Sequence, residues 1–113
     1  QRACKMLSQI IDSLEKYPSS FGIWASLLQQ HVFGLNEISI VGLNAIELGN
    51  KVATNYIPYK VLMVSTIENA KYPLLKSKQA GLDSLIYLCK NYNCLSPFQT
   101  IQDFLLYINK SIK

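Results

Sequence analysis

The chain has 113 residues, of which half are hydrophobic and only 16% charged, with a net charge of +4 and a pI near 9.0. That length and composition predict one domain with a packed core and exclude disorder, and no apolar stretch approaches the roughly 20 residues of a membrane helix. The basic residues of the second half, Lys71, Lys76, Lys78 and Lys90, are interrupted. They read as a solvated face, because nucleic-acid binding needs a concentrated stripe or a stacking platform.

The opening residues Gln1-Arg2-Ala3 read as helix interior, with no charged start followed by an apolar run of the signal-peptide kind. The expectation is a cut end of a longer cytoplasmic protein. Residues 3–16 carry Ala3, Met6, Leu7, Ile10, Ile11 and Leu14 at the three-and-four spacing of an amphipathic helix. Tyr17-Pro18 ends it, since the residue before proline is pushed out of the helical region. Ser19 or Ser20 is expected to cap a second helix with the apolar face Phe21, Trp24, Leu27, Leu28 and Val32, closed by Gly34. So short a link predicts a hairpin.

The period then changes. Ile38 to Val41, ending at Gly42, reads as a strand. Asn44 with Glu47 resembles a capping box, opening a helix with the face Ile46, Gly49, Val52, Ala53 and Tyr56 that Pro58 stops. Residues 60–65 form a nearly continuous apolar run, read as a strand buried on both faces. Strand, helix and strand predict one right-handed crossover unit with parallel strands. Residues 66–83 are irregular, punctuated by Tyr72-Pro73 and Gly81, with a helical turn near Leu74 and Leu75. A third strand follows over 85–89, of undetermined direction. After Pro97, Thr100 with Asp103 forms a second capping box for a last helix over Ile101, Phe104, Leu105, Ile108 and Ile112. The fold class is therefore α/β: an amino-terminal helical hairpin, residues 1–34, followed by a small α/β unit, 35–113. That unit has a three-stranded, at least partly parallel sheet flanked by helices.

Little of this composes a site. The turn Gly42-Leu43-Asn44 stands where a doubly wound fold holds a phosphate, but the dinucleotide fingerprint and the P-loop both fail for want of glycines and of Gly-Lys-Ser/Thr. The cysteines Cys4, Cys89 and Cys94 make an odd number, which favours reduced thiols. Cys89 and Cys94 are spaced Cys-x4-Cys, not the two-residue spacing of a thioredoxin-type pair. The favoured reading has Cys89 ending a buried strand and Cys94 packing under the last helix; a local disulfide and a metal pair are the alternatives. His31, the sole histidine, is expected to stabilise a helix carboxyl end or to lie at an interface. The scattered acidic residues make no general-acid pair, and a cysteine or serine nucleophile finds no base. No catalytic residue, cofactor or metal site is assigned.

The order of short motifs is more telling. Met6-Leu7, Tyr17-Pro18-Ser19-Ser20-Phe21, Glu37-Ile38-Ser39-Ile40-Val41-Gly42, Pro58-Tyr59-Lys60-Val61, Tyr72-Pro73-Leu74-Leu75 and the run Tyr87 to Pro97 follow one another along the whole chain. In this the chain resembles the last part of the thioredoxin-domain-containing proteins related to spermatogenesis-associated protein 20. Members have a thioredoxin-like domain at the amino end and an α/α toroid in the middle. The resemblance implies that residues 1–34 end the toroid and that 35–113 form a terminal α/β unit. It marks Cys89, Asn91, Cys94 and Pro97 as motif positions without assigning them a role. The expected function is a non-catalytic structural or interaction module of a larger protein. The alternative is a wall or lid for a sugar-modifying or thiol-redox site in upstream domains. The expected partners are those upstream domains, with self-association through residues 1–33 when they are missing, and neither nucleic acid nor membrane.

Overall fold

Proline and glycine set several of the element boundaries. The computed structural model describes residues 1–69, 71–79 and 83–112, and the chain divides into two units, Gln1–Leu35 and Asn36–Lys113.

In the first unit, α1 (Arg2–Lys16) stops at Tyr17, directly before Pro18, as the proline requires. Leu7 is buried and Ile10 and Leu14 are half-buried, while Met6 and Ile11 stay exposed on the flanks of the same stripe. The link is a tight turn in which the Ser20 N–H donates to the Tyr17 carbonyl. Neither serine caps the next helix: α2 (Gly22–Phe33) starts after Phe21 without a side-chain cap. The serines are drawn into the turn instead, one residue too early for the free amides. Gly34 ends α2 at φ +77°, a conformation that costs glycine nothing. No residue of α2 is buried. Ile23, Leu27, Val32 and Phe33 are exposed and Trp24 and Leu28 only half-buried.

The second unit contains β1 (Asn36–Val41), α3 (Ala45–Ala53), β2 (Lys60–Ser65), β3 (Leu85–Lys90), β4 (Asn93–Cys94) and α4 (Ile101–Ile112). The sheet is four-stranded and mixed, in the order β2-β1-β3-β4. β1 and β2 are parallel and joined through α3, in agreement with the crossover pattern; β3 is antiparallel to β1, and β4 to β3. The fold class stands as α/β with a partly parallel sheet, gaining one short strand that the sequence did not reveal.

Register divides the sheet's side chains between two faces. Ile38 lies opposite Leu62 and Leu88, and Ile40 opposite Val64 and Ile86. These six meet Ala45, Leu48 and Val52 of α3 and Phe104 and Ile108 of α4 in one core. Burying each such side chain stabilises the fold by about 1.5–3 kcal/mol. The other face presents Glu37, Ser39, Tyr87 and Cys89. Ser39 is fully buried there, its hydroxyl without a hydrogen-bond partner among the described residues.

Two expectations change. Residues 60–65 are not a strand buried on both faces: β2 is an edge strand with Val61 exposed and the rest half-buried. β1, with Ile38 to Val41 wholly buried, holds the centre. A continuous apolar run marks a strand that belongs in a sheet, not its place in the strand order. The predicted face of α3 is also turned: Gly49 and Val52 are buried as expected, joined by Ala45, while Ile46 and Ala53 are exposed, and the helix ends at Ala53, short of Tyr56 and five residues before Pro58. Gly49 sets this rotation. A Cβ there would fall 2.7 Å from Val64 Cγ2, so the backbone of α3 lies against β2 where only glycine fits.

The two expected capping boxes part company. Thr100 Oγ1 accepts from the Asp103 N–H (3.2 Å) and donates to Asp103 Oδ2 (2.8 Å), a working N-cap for α4. Asn44 makes no side-chain cap. Its expected partner Glu47 pairs with Lys51 at 2.9 Å, one turn on, and that ammonium holds the Glu47 carboxyl below its ordinary range. The turn expected near Leu74 and Leu75 is present, the Leu75 and Lys76 N–H groups both donating to the Tyr72 carbonyl. Gly81 and the side chain of Ile112, also named in the sequence pattern, lie outside the described residues.

Candidate functional site

β3 and β4 are joined by two residues, Asn91 and Tyr92, at φ 50° and 64°. Positive φ at both central positions matches a hairpin turn to the twist of its strands, and asparagine tolerates it better than most residues other than glycine. Lys90 then faces Asn93, and Cys89 faces Cys94. In such a hairpin the second pair is of the non-hydrogen-bonded kind, whose side chains come closest. The two Cα atoms are 4.0 Å apart and the sulfurs are bonded in a disulfide.

This overturns the expectation of reduced thiols at Cys89 and Cys94. Cys89 is buried at the end of β3, as its strand position predicts, but Cys94 is exposed and does not pack under α4. The spacing was the missed signal. With a two-residue turn, positions i and i+5 lie directly opposite each other, so Cys-x4-Cys is the pattern of a cross-strand pair.

Pro97 explains the next step in the hairpin. Continuous register would set Ile86 opposite Pro97, which has no N–H to donate. Ile86 instead exchanges both backbone bonds with Phe98, at 3.0 and 2.8 Å, so one extra residue is taken up between Cys94 and Phe98. This delivers the Phe98 ring to Phe104 and Tyr107, both at 5.6 Å between centroids. Cys89, Asn91, Cys94 and Pro97 therefore belong to one hairpin, shaped by the disulfide, by the positive-φ turn and by the missing proline N–H.

On the sheet face opposite the helices, Lys78 extends over this hairpin. Its Nζ lies 3.4 Å from Cys89 Sγ and 3.2 Å from Cys94 Sγ. The same ammonium stands 4.9 Å from the centroid of the Tyr87 ring. Tyr87 is tied in turn, its hydroxyl donating to the Gln79 carbonyl at 3.0 Å. Lys78, both cysteines, Glu37, Pro73, Leu74 and Tyr92 line an open recess of about 250 Å³. Chemically this is a sulfur pair with a cation held against it.

The other places singled out in the sequence are closed or incomplete. At the Gly42 turn, the Asn44 N–H donates to Ser84 Oγ at 2.8 Å. A Cβ on Gly42, which sits at φ +143°, would fall 2.4 Å from Ser84 Cα. Ser84 thus occupies the position a phosphate would need. Within the helical unit, Cys4 Sγ lies 3.9 Å from His31 Nδ1, a pairing the sequence did not reveal. The hairpin of α1 and α2 sets the start of one helix beside the end of the other, and that topology was the available signal. Both residues are exposed, and no carboxylate among the described residues hydrogen-bonds the second ring nitrogen, so the pair lacks the orienting group of a nucleophile site. Among the described residues no three His, Cys, Asp or Glu side chains are grouped to hold a metal ion, and no helix is long and apolar enough to cross a membrane.

Comparison with known protein families, with characterised proteins and with solved structures finds no match. The functional reading therefore rests on these residues.

Proposed function

We propose that the chain is a structural and interaction module, the carboxyl-terminal part of a larger cytoplasmic protein of the thioredoxin-domain-containing kind that its motifs resemble. The observation that carries this reading is the apolar surface of α2. Ile23 is 79% exposed, Val32 66% and Phe33 61%, and the helix buries nothing. Apolar side chains exposed all round a helix that buries none of them mark contacts with other protein segments. In the intact protein the occupant is the upstream helical domain. No constellation of nucleophile, base and orienting group among the described residues competes with this role.

The test compares the isolated chain with a longer one that includes its upstream domains. Sedimentation of the isolated chain over increasing concentration should show self-association that an Ile23→Ser, Val32→Ser double substitution removes. In the longer protein, amides of residues 22–33 should exchange with solvent more slowly than in the isolated chain. An isolated chain that stays monomeric, with α2 amides exchanging equally in both contexts, would overturn the module reading. Loss of a sugar- or thiol-dependent activity of the longer protein on removing residues 1–113 would favour the enzyme-wall alternative.

A further inference from the structure

We propose that Cys89 and Cys94 are a thiol–disulfide exchange site for a dithiol, in which Cys94 is the sulfur attacked and Lys78 stabilises Cys89 as the departing thiolate. This goes beyond the module reading and does not depend on it.

Three features converge on this assignment. The first is asymmetry of access: both cysteines line the open recess, but Cys94 is exposed at the hairpin while Cys89 is only 4% exposed. An incoming thiolate reaches Cys94 more readily than Cys89. The second is Lys78. A neutral disulfide is a weak acceptor and gives an ammonium little in return for lost hydration. A thiolate at the same 3.2–3.4 Å gives a charge-assisted pair. Lys78 is therefore placed for the reduced state more than for the oxidised one. A nearby cation lowers a thiol's pKa, and a thiol of lower pKa leaves faster. The third is the hairpin itself. The turn at Asn91 and Tyr92 and the Leu95 N–H to Leu88 carbonyl bond of 3.0 Å hold the strands together independently of the sulfurs. Opening the disulfide leaves the two thiols facing each other, ready to close again.

The exchange balances as follows. One thiolate of the dithiol attacks Cys94 Sγ, forming a mixed disulfide, and the bonding pair of the Cys89–Cys94 bond leaves on Cys89 Sγ beside the Lys78 ammonium. The second thiolate of the dithiol attacks its own partner sulfur in the mixed disulfide and expels Cys94 as a thiolate. The dithiol is oxidised to a disulfide by two electrons, the cysteine pair is reduced by the same two, and the protons released by the dithiol are taken up by the new thiolates or by solvent.

The experiment uses the oxidised chain carrying Cys4→Ser, with dithiothreitol as the probe and quenched alkylation followed by mass spectrometry as the readout. Lys78→Met should slow reduction by roughly three- to tenfold, Lys78→Arg should restore most of the rate, and Lys76→Met should leave it unchanged. Thiolate absorbance supplies a readout that a merely structural lysine would not move. In a Cys4→Ser, Cys94→Ser chain, adding Lys78→Met should weaken the thiolate absorbance of Cys89 at a given pH, because the ammonium that favours the thiolate is gone. Equal reduction rates for Lys78→Met and Lys76→Met overturn the proposal, as does recovery of both thiols free from an air-oxidised sample. Should Lys78→Met fail to fold, Lys78→Gln takes its place, and a Cys89 thiolate absorbance unchanged by that substitution overturns the proposal.

Discussion

The helical unit and the α/β unit treat apolar side chains in opposite ways. In the first, α2 carries Ile23, Leu27, Val32 and Phe33 to the surface and buries none of its residues. In the second, β1 buries Ile38, Ile40 and Val41 completely, and Phe104 and Ile108 of α4 close the core over them. A helix apolar all round needs neighbours on several sides, and one antiparallel partner supplies a single contact. A strand in the middle of a sheet is covered by its neighbours and by whatever packs on each face. The α/β unit closes a core of its own, whereas the helical unit leaves much of its apolar surface exposed.

That contrast is open to a severe test. Ile40→Asp puts a carboxylate at the centre of the core with no partner, and should abolish the cooperative unfolding transition of the α/β unit, a loss of more than about 4 kcal/mol. Ile23→Asp, the same chemical change on exposed α2, should alter stability by less than about 0.5 kcal/mol. Urea unfolding of both variants makes the comparison, and equal effects would break the distinction between the two units. Leu62→Asp on the edge strand should fall between them, because the charge can turn toward water.

A smaller but still large effect is expected at Gly42. Alanine there meets both the strained φ of +143° and the Ser84 backbone, so Gly42→Ala should cost about 2–4 kcal/mol in the same assay. An alanine tolerated without loss would show that Ser84 does not pin this turn. Smallest are the caps. Thr100→Ala should cost about 1 kcal/mol. Asn44→Ala should cost under about 0.5 kcal/mol, because Asn44 contributes its backbone N–H and not its side chain. Reversal of that order would mean that the residue spacing, and not the hydrogen bonds of the folded chain, decides which box caps.

What sequence alone determined is local. Pro18 and Gly34 stop helices where the backbone demands, short β-branched and apolar runs mark strands against the 3.6-residue period of the helices, and Thr100 caps α4 by accepting from the amide three residues on. The parallel pairing of β1 and β2 was equally legible, since a short strand–helix–strand run has few other ways to close. Tertiary structure decided the rest. It made β1 and not β2 the central strand and set β3 antiparallel. It joined Cys89 to Cys94, brought Lys78 over both sulfurs, and filled the Gly42 turn with Ser84, whose hydroxyl meets a backbone 40 positions away. It also set Cys4 beside His31 across 27 positions. The physical reason is common to all of these. Periodicity and proline sterics act within a few residues and are written there, whereas strand order and side-chain encounters depend on which distant surfaces best exclude water together, and no single segment carries that information.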